Sequence, residues 1–363
     1  MTTQITGRSS VPPHYCRGRS ILLLLTLALM LTVLLPKSFA AGAEPSVQCE
    51  DSAMPVQMNG LDLTSHGRLC VPARQRTLGV QVLLHGGTYN SSEWDFPYRP
   101  ESYSYVRAAN DSGYATYNVD SIGSGLSSRP PSPLVTAWGQ AEVVHQIVTR
   151  LRQGAIAGQG FSKVVVIGHS MGSLTAVLEA GRFHDVDGVA LTGFSHSHTA
   201  PIAVTARGGS SLGFLPATLS KFRSSADPGY LTTRPGVRER LYHSQSDVDS
   251  GVLRNDEANK DVVSATEFAQ AIALASQTPV SRQIDVPVLL ANGSKDGAFC
   301  DAKVPGADCS SAESLMSSEA SFFSPAADLE TYVLPGAGHT LMLAKNAGEF
   351  RSALLEWVSR TIQ

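Results

Sequence analysis

Residues 163–180, KVVVIGHSMGSLTAVLEA, run a β-branched stretch straight into a serine flanked by glycines and then into an alanine- and leucine-rich segment. KVVVIG has the length and branching of a buried strand, and SLTAVLEAGRF has apolar positions at helical spacing. A strand that becomes a helix within a few residues needs a sharp bend. Gly168 and Gly172 permit it, and the bend pushes Ser170 out of the sheet. Outward from this point the alternation continues. Before it come the strand RTLGVQVLL, residues 76–84, a helix in SYSYVRAANDSGY that stops near Gly113, the strand ATYNVD and the helix VTAWGQAEVVHQIVTRLRQG. After it comes the strand VDGVALTGF. Strand, helix, strand in this order implies an α/β fold with a mostly parallel central sheet flanked by helices. From about 195 to 284 the alternation lapses into a long segment with helical stretches such as SATEFAQAIALASQ, read as an inserted helical lid over one end of the sheet. VPVLLANGS, ADLETYVLPGAGHTLML and AGEFRSALLEWVSRTI then supply a strand, a strand with its loop, and a closing helix.

GHSMG, residues 168–172, is a Gly-x-Ser-x-Gly pattern between strand and helix, and here the chain resembles the α/β-hydrolase family, whose nucleophile elbow has this form. A serine hydroxyl needs a base within hydrogen-bond reach and a third group to orient that base. The resemblance implies the order serine, acid, histidine: Ser170, then Asp296 after VPVLLANGSK, then His339 in PGAGHTLML, so that it spans roughly residues 76–363. Asp301 is the second candidate acid. His184, His196, His198 and His243 are the other histidines weighed, and none sits in a glycine-rich loop after the last strand. The oxyanion hole implied by the family takes one backbone N–H from Met171 and a second from Gly87 in HGG, residues 85–87, with Thr88 as the alternative. Only the N–H of Met171 is expected to matter, its side chain much less. DSIGSGLSS, residues 120–128, resembles the Asp-x-x-Gly-x-Gly-x-Ser loop of lidded hydrolases and is read as architectural.

With 42% hydrophobic residues and a net charge of −3, the 363-residue chain can bury a sizeable core and has no basic bias, which argues against nucleic acid as its partner. The expected partner is a small, apolar acyl substrate, and the chemistry requires no cofactor or metal. His196 and His198 in GFSHSH are spaced as alternate metal ligands, but no third ligand accompanies them and they are read as lining the lid entrance. Tyr89, Trp94, Phe96 and Tyr98, after the oxyanion loop, are read as the aromatic edge of the pocket. The function expected is hydrolysis of an ester, lactone or related acyl bond. An acyltransferase, thioesterase or peptidase on the same triad, cofactor-free lyase or oxygenase chemistry, and a non-catalytic ligand-binding member are the alternatives.

Residues 1–40 read differently. Arg8, Arg17 and Arg19 precede the apolar run ILLLLTLALMLTVLL, and Ser38 and Ala40 stand before Ala41, the pattern of a secretory signal cleaved after Ala40. The run is shorter than the roughly 20 residues that span a bilayer, so no stable anchor is expected. Residues 41–75 then form an N-terminal extension. Export leaves Cys49, Cys70, Cys300 and Cys309 in an oxidising compartment once Cys16 is removed with the signal. Four cysteines allow three pairings. Pairing neighbours closes the shortest loops, so that Cys49–Cys70 would staple the extension to the body and Cys300–Cys309 would tie down the loop presenting Asp296. A zinc site is the other reading, without the CxxC spacing that favours it.

Overall fold

The computed structural model describes residues 47–73, 77–156, 158, 160–198, 213–277, 279–300 and 306–362. The signal segment, Cys16 and Asp301 lie outside them. In chain order the described elements are strands β1 (Val47–Met58), β2 (Leu61–Pro72) and β3 (Val80–Leu84), helices α1 (Pro100–Tyr103) and α2 (Tyr105–Asp111), strand β4 (Ala115–Asp120), helix α3 (Ala137–Gln153), strand β5 (Val164–His169), helix α4 (Met171–Phe183) and strand β6 (Gly188–Thr192). An insertion follows with β7 (Phe214–Pro216), β8 (Tyr230–Thr233), α5 (Arg238–Tyr242), α6 (Ser250–Asn259), β9 (Val263–Ser264) and α7 (Ala265–Gln277). The chain returns to the body as β10 (Val288–Gly293), α8 (Ala312–Glu319), β11 (Glu330–Leu334) and α9 (Ala347–Thr361).

The β-branched runs become the inner strands of one eight-stranded sheet, ordered β1-β2-β4-β3-β5-β6-β10-β11. Only β2 runs against the rest. Every residue of β5 is buried, since a strand covered on both faces has no solvent side. Successive side chains point to opposite faces. Val164 and Val166 pack with α3 and α4, whereas Val165 and Ile167 pack with α2 and α9. Each such side chain contributes roughly 2 kcal/mol by leaving water. Helix α3 starts where the Thr136 side chain accepts the Gly139 N–H, and it stops at Gly154, whose φ of 71° a side chain would strain.

Two features depart from expectation. Residues 47–72 are not an appendage. They form a hairpin whose second strand pairs along β4, so the sheet begins at Val47. Cys49 and Cys70 sit directly opposite each other in that hairpin, and their disulfide cross-links its two strands and does not tie an extension to the body. The insertion, besides its helices, carries the three-stranded antiparallel sheet β7-β8-β9. Among the described residues, no helix is long and apolar enough to cross a membrane.

Candidate active site

The carboxyl ends of β3, β5, β10 and β11 converge, and the loops that leave them build the site. At the end of β5 the chain turns at Ser170 with φ 54° and ψ −112°, a conformation that costs an L-residue about 1–3 kcal/mol and persists only where surroundings enforce it. Here the enforcement is specific. The Ser170 N–H donates to Thr192 O (2.8 Å), and the Ser173 hydroxyl both donates to Thr192 O and accepts the Thr192 N–H, each at 2.9 Å. A Cβ on Gly172 would lie 2.3 Å from Leu84 O, so only glycine lets α4 start this close to β3.

Asp296 and His339 come from the ends of β10 and β11. His339 Nδ1 stands 2.8 Å from Asp296 Oδ2, so its N–H donates to the carboxylate and leaves Nε2 for other work. The other carboxylate oxygen accepts the N–H groups of Ala298 (2.8 Å) and Phe299 (3.3 Å), and Asp296 is fully buried. The Cys300–Cys309 disulfide is formed, and the Cys300 N–H donates to Asp296 O at 2.8 Å. Ser170 and His339 line one cavity together with Gly87 and Met171.

The loop after β3 forms a turn, closed by the Tyr89 N–H on Gly86 O at 3.2 Å. Gly87 and Thr88 are its central residues, and Thr88 has φ 63°. Among the described residues no hydrogen bond occupies the N–H of Gly87 or of Met171, the first residue of α4. A Cβ on Gly87 would meet the Met171 sulfur at 2.7 Å, so the methionine side chain lies directly over this glycine.

Behind this turn lies a buried polar layer that the sequence did not reveal. Glu93 Oε2 accepts the Gly86 N–H at 2.7 Å, and burial pushes the Glu93 carboxyl up to about 8, so at neutral pH it carries a proton. Thr192 Oγ1 donates to Gly168 O and so accepts from His169 Nδ1, at 3.0 Å each. The bare His169 Nε2 then faces Glu93 Oε1 at 3.5 Å. Burial, and the neighbouring His339 ring 4.7 Å away, hold His169 well below the ordinary histidine range, so it stays neutral. His85 is likewise lowered by burial; it accepts the Ser121 N–H on Nε2 (3.1 Å) and donates from Nδ1 to Gly86 O (2.8 Å).

The family model described as the alpha/beta hydrolase family matches residues 81–353. The chain belongs to this family. Three solved structures of similar alpha/beta hydrolase architecture are a thermophilic esterase from Thermogutta terrifontis (17% identity, 87% of this chain and 100% of the other, TM-score 0.52), a monoacylglycerol lipase from Paleococcus ferrophilus (18%, 82% and 98%, 0.55) and a soluble variant of monoglyceride lipase from Saccharomyces cerevisiae bound to a substrate analog (15%, 86% and 96%, 0.58). At these identities the likeness is one of fold. No curated protein matches the sequence.

For an alpha/beta hydrolase, the cavity wall shows what the site admits. Leu174, Phe194, Val263, Phe268, Ala271 and Phe299 are among its lining residues, and among the described residues no Asp, Glu, Lys or Arg side chain lines it. Of the four aromatic residues expected at its edge, only Tyr89 is there. Trp94 and Phe96 are core residues, each 1% exposed, and Tyr98 packs beside Phe96 against the insertion. His196 and His198 do not line the cavity. His196 is buried, bonded to Glu319 (2.6 Å) and Ser281 (2.9 Å) and stacked on Phe322, so it ties the start of the insertion to α8. Asp120 organises its own loop, accepting the N–H groups of Ser91 (2.8 Å) and Leu126 (2.9 Å), as an architectural residue does.

Proposed function

We propose that the chain is an exported serine hydrolase that cleaves an ester, lactone or related acyl bond. The observation that carries this reading is the strained Ser170 on one cavity wall with His339, whose Nδ1 is engaged by a fully buried Asp296. His339 Nε2 takes the Ser170 proton as the hydroxyl oxygen bonds to the substrate carbonyl carbon. Asp296 holds the imidazolium that forms. The carbonyl oxygen becomes an oxyanion held by the N–H groups of Gly87 and Met171, which have no other acceptor among the described residues. His339 returns the proton to the leaving alkoxide, and water cleaves the acyl-enzyme by the same steps in reverse order of roles.

The apolar lining supports a neutral, small or medium acyl substrate, because a charged one would lose its hydration without a partner. Two disulfides support passage through an oxidising compartment, in keeping with the signal-like residues 1–40. Replacing Ser170 with Ala is expected to abolish both fluorophosphonate labelling and turnover of p-nitrophenyl butyrate, with thermal unfolding retained. Labelling that persists at another residue, or esterase activity that survives the substitution, would overturn the assignment.

A further inference from the structure

Arg238 and Asp256 are charged residues of the insertion, 2% exposed each, and nothing in the triad chemistry calls for them. Their side chains form a two-point pair, Nη2–Oδ1 2.7 Å and Nε–Oδ2 2.9 Å, and His243 Nε2 adds a third contact on Asp256 Oδ2 at 2.9 Å. Burial alone would lift the Asp256 carboxyl, but the guanidinium and the His243 hydrogen bond outweigh it and hold the group ionised, below its ordinary range. The remaining arm of the fork leaves the pair altogether. Arg238 Nη1 donates to Thr88 Oγ1 (3.0 Å) and to Thr88 O (3.3 Å), and its guanidinium lies 4.1 Å from the centre of the Tyr89 ring. The Asp261 N–H also donates to Thr88 O at 2.9 Å, and Tyr242 Oη stands 3.1 Å from Thr88 Oγ1. One residue thus receives four contacts from three residues of the insertion.

The reason lies in the turn that Thr88 belongs to. The Gly86–Tyr89 turn has ordinary φ at Gly87 and positive φ at Thr88, the type II pattern, whose third position is normally glycine. A β-branched residue at positive φ is an outlier that left to itself would relax to another turn. Relaxation at Thr88 would turn the Gly87–Thr88 peptide about ψ of Gly87, changing the path of the turn whose first peptide carries the Gly87 N–H. We propose that Arg238, held by Asp256, is a positioning residue that locks this turn, and so aims the Gly87 N–H at the oxyanion. The inference rests on the serine-hydrolase reading above.

The test uses the full secreted chain, with active sites counted by fluorophosphonate titration and kcat and KM measured per titrated site on p-nitrophenyl butyrate. Arg238→Lys keeps a positive charge for Asp256 but cannot reach Asp256 and Thr88 together. Its kcat is expected to fall at least tenfold with KM within twofold, since loss of one oxyanion donor lowers kcat by about 10²–10³. Adding Thr88→Gly, which makes the positive φ intrinsic to the turn, is expected to restore most of that loss. Thr88→Val, which removes only the hydroxyl that Arg238 grips, serves as the second variant and should lose kcat severalfold. Unchanged kcat per site in either single variant, or a loss in Arg238→Lys that Thr88→Gly does not recover, overturns the proposal. Failure of the underlying reading is separable, since the unmodified protein itself would then show neither labelling at Ser170 nor turnover.

Discussion

Replacing Glu93 with Gln should stabilise the protein, and by an amount that grows with pH. Glu93 is 2% exposed, and its carboxyl is raised from 4.5 to about 8 by burial, against the lowering effect of the Gly86 N–H. Above 4.5 the unfolded chain releases this proton while the folded chain keeps it, so the folded state binds more protons and stability falls as pH rises, levelling off only above about 8. At about 1.4 kcal/mol per unit, the loss between roughly pH 5 and pH 8 is about 3 kcal/mol. Glutamine keeps the acceptor that the Gly86 N–H uses at 2.7 Å and places an N–H₂ donor opposite the bare His169 Nε2, and it has no proton to lose. Thermal unfolding of both proteins at matched scan rates across this range is the assay. With about 2 °C per kcal/mol for a large domain, the variant should gain roughly 6 °C on the parent between the two ends. Glu267, also raised to about 8 by burial, is present in both proteins and cancels in the difference. A gap that stays constant with pH, or that narrows toward alkaline conditions, would show that Glu93 is ionised in the folded state and would refute the reasoning.

Two further outcomes follow from the geometry. Removing the second disulfide as Cys300→Ser with Cys309→Ser frees the loop whose N–H holds Asp296 O at 2.8 Å. kcat for a short ester is then expected to fall about tenfold, equivalent to about 1.4 kcal/mol, with stability lower by about 2–3 kcal/mol, and unchanged turnover would remove any part for the disulfide in presenting the acid. Gly172→Ala places a Cβ 2.3 Å from the backbone oxygen of Leu84, which cannot move without breaking β3. A loss of about 3 kcal/mol and of Ser170 labelling is expected, and a variant that melts within a degree of the parent and labels normally would contradict the close approach.

The parts of the site that were legible in the sequence are those whose geometry is local. Gly168, Ser170 and Gly172 lie within five residues, and Asp296 and His339 each follow directly on a strand. Glu93, Arg238 and Asp256 gave no such signal, because their meaning comes from partners far along the chain: Arg238 and Thr88 are 150 residues apart. The strands β7 and β9 were missed because three and two residues cannot display a period of two. The first hairpin was within reach. Asn59-Gly60, with φ of 52° and 77°, is a strong hairpin turn signal, but Pro55 and the polar, solvent-facing first half of β1 hid the strand around it. Trp94 and Phe96 were misplaced for a different reason: proximity in sequence to the loop after β3 says nothing about which side of the sheet a large ring will fill.

The grip of α5 on two loops at once bears on how this scaffold can be re-engineered. Tyr242 O accepts the Thr340 N–H at 3.0 Å beside His339, while Arg238 on the same helix holds Thr88. A segment with contacts on both sides of the proposed reaction centre is not an exchangeable cassette. Chimeras that graft a foreign insertion between β6 and β10 to change substrate preference should retain residues 238–261 as part of the host, and diversify Phe214, Phe268 and Ala271 on the cavity wall instead.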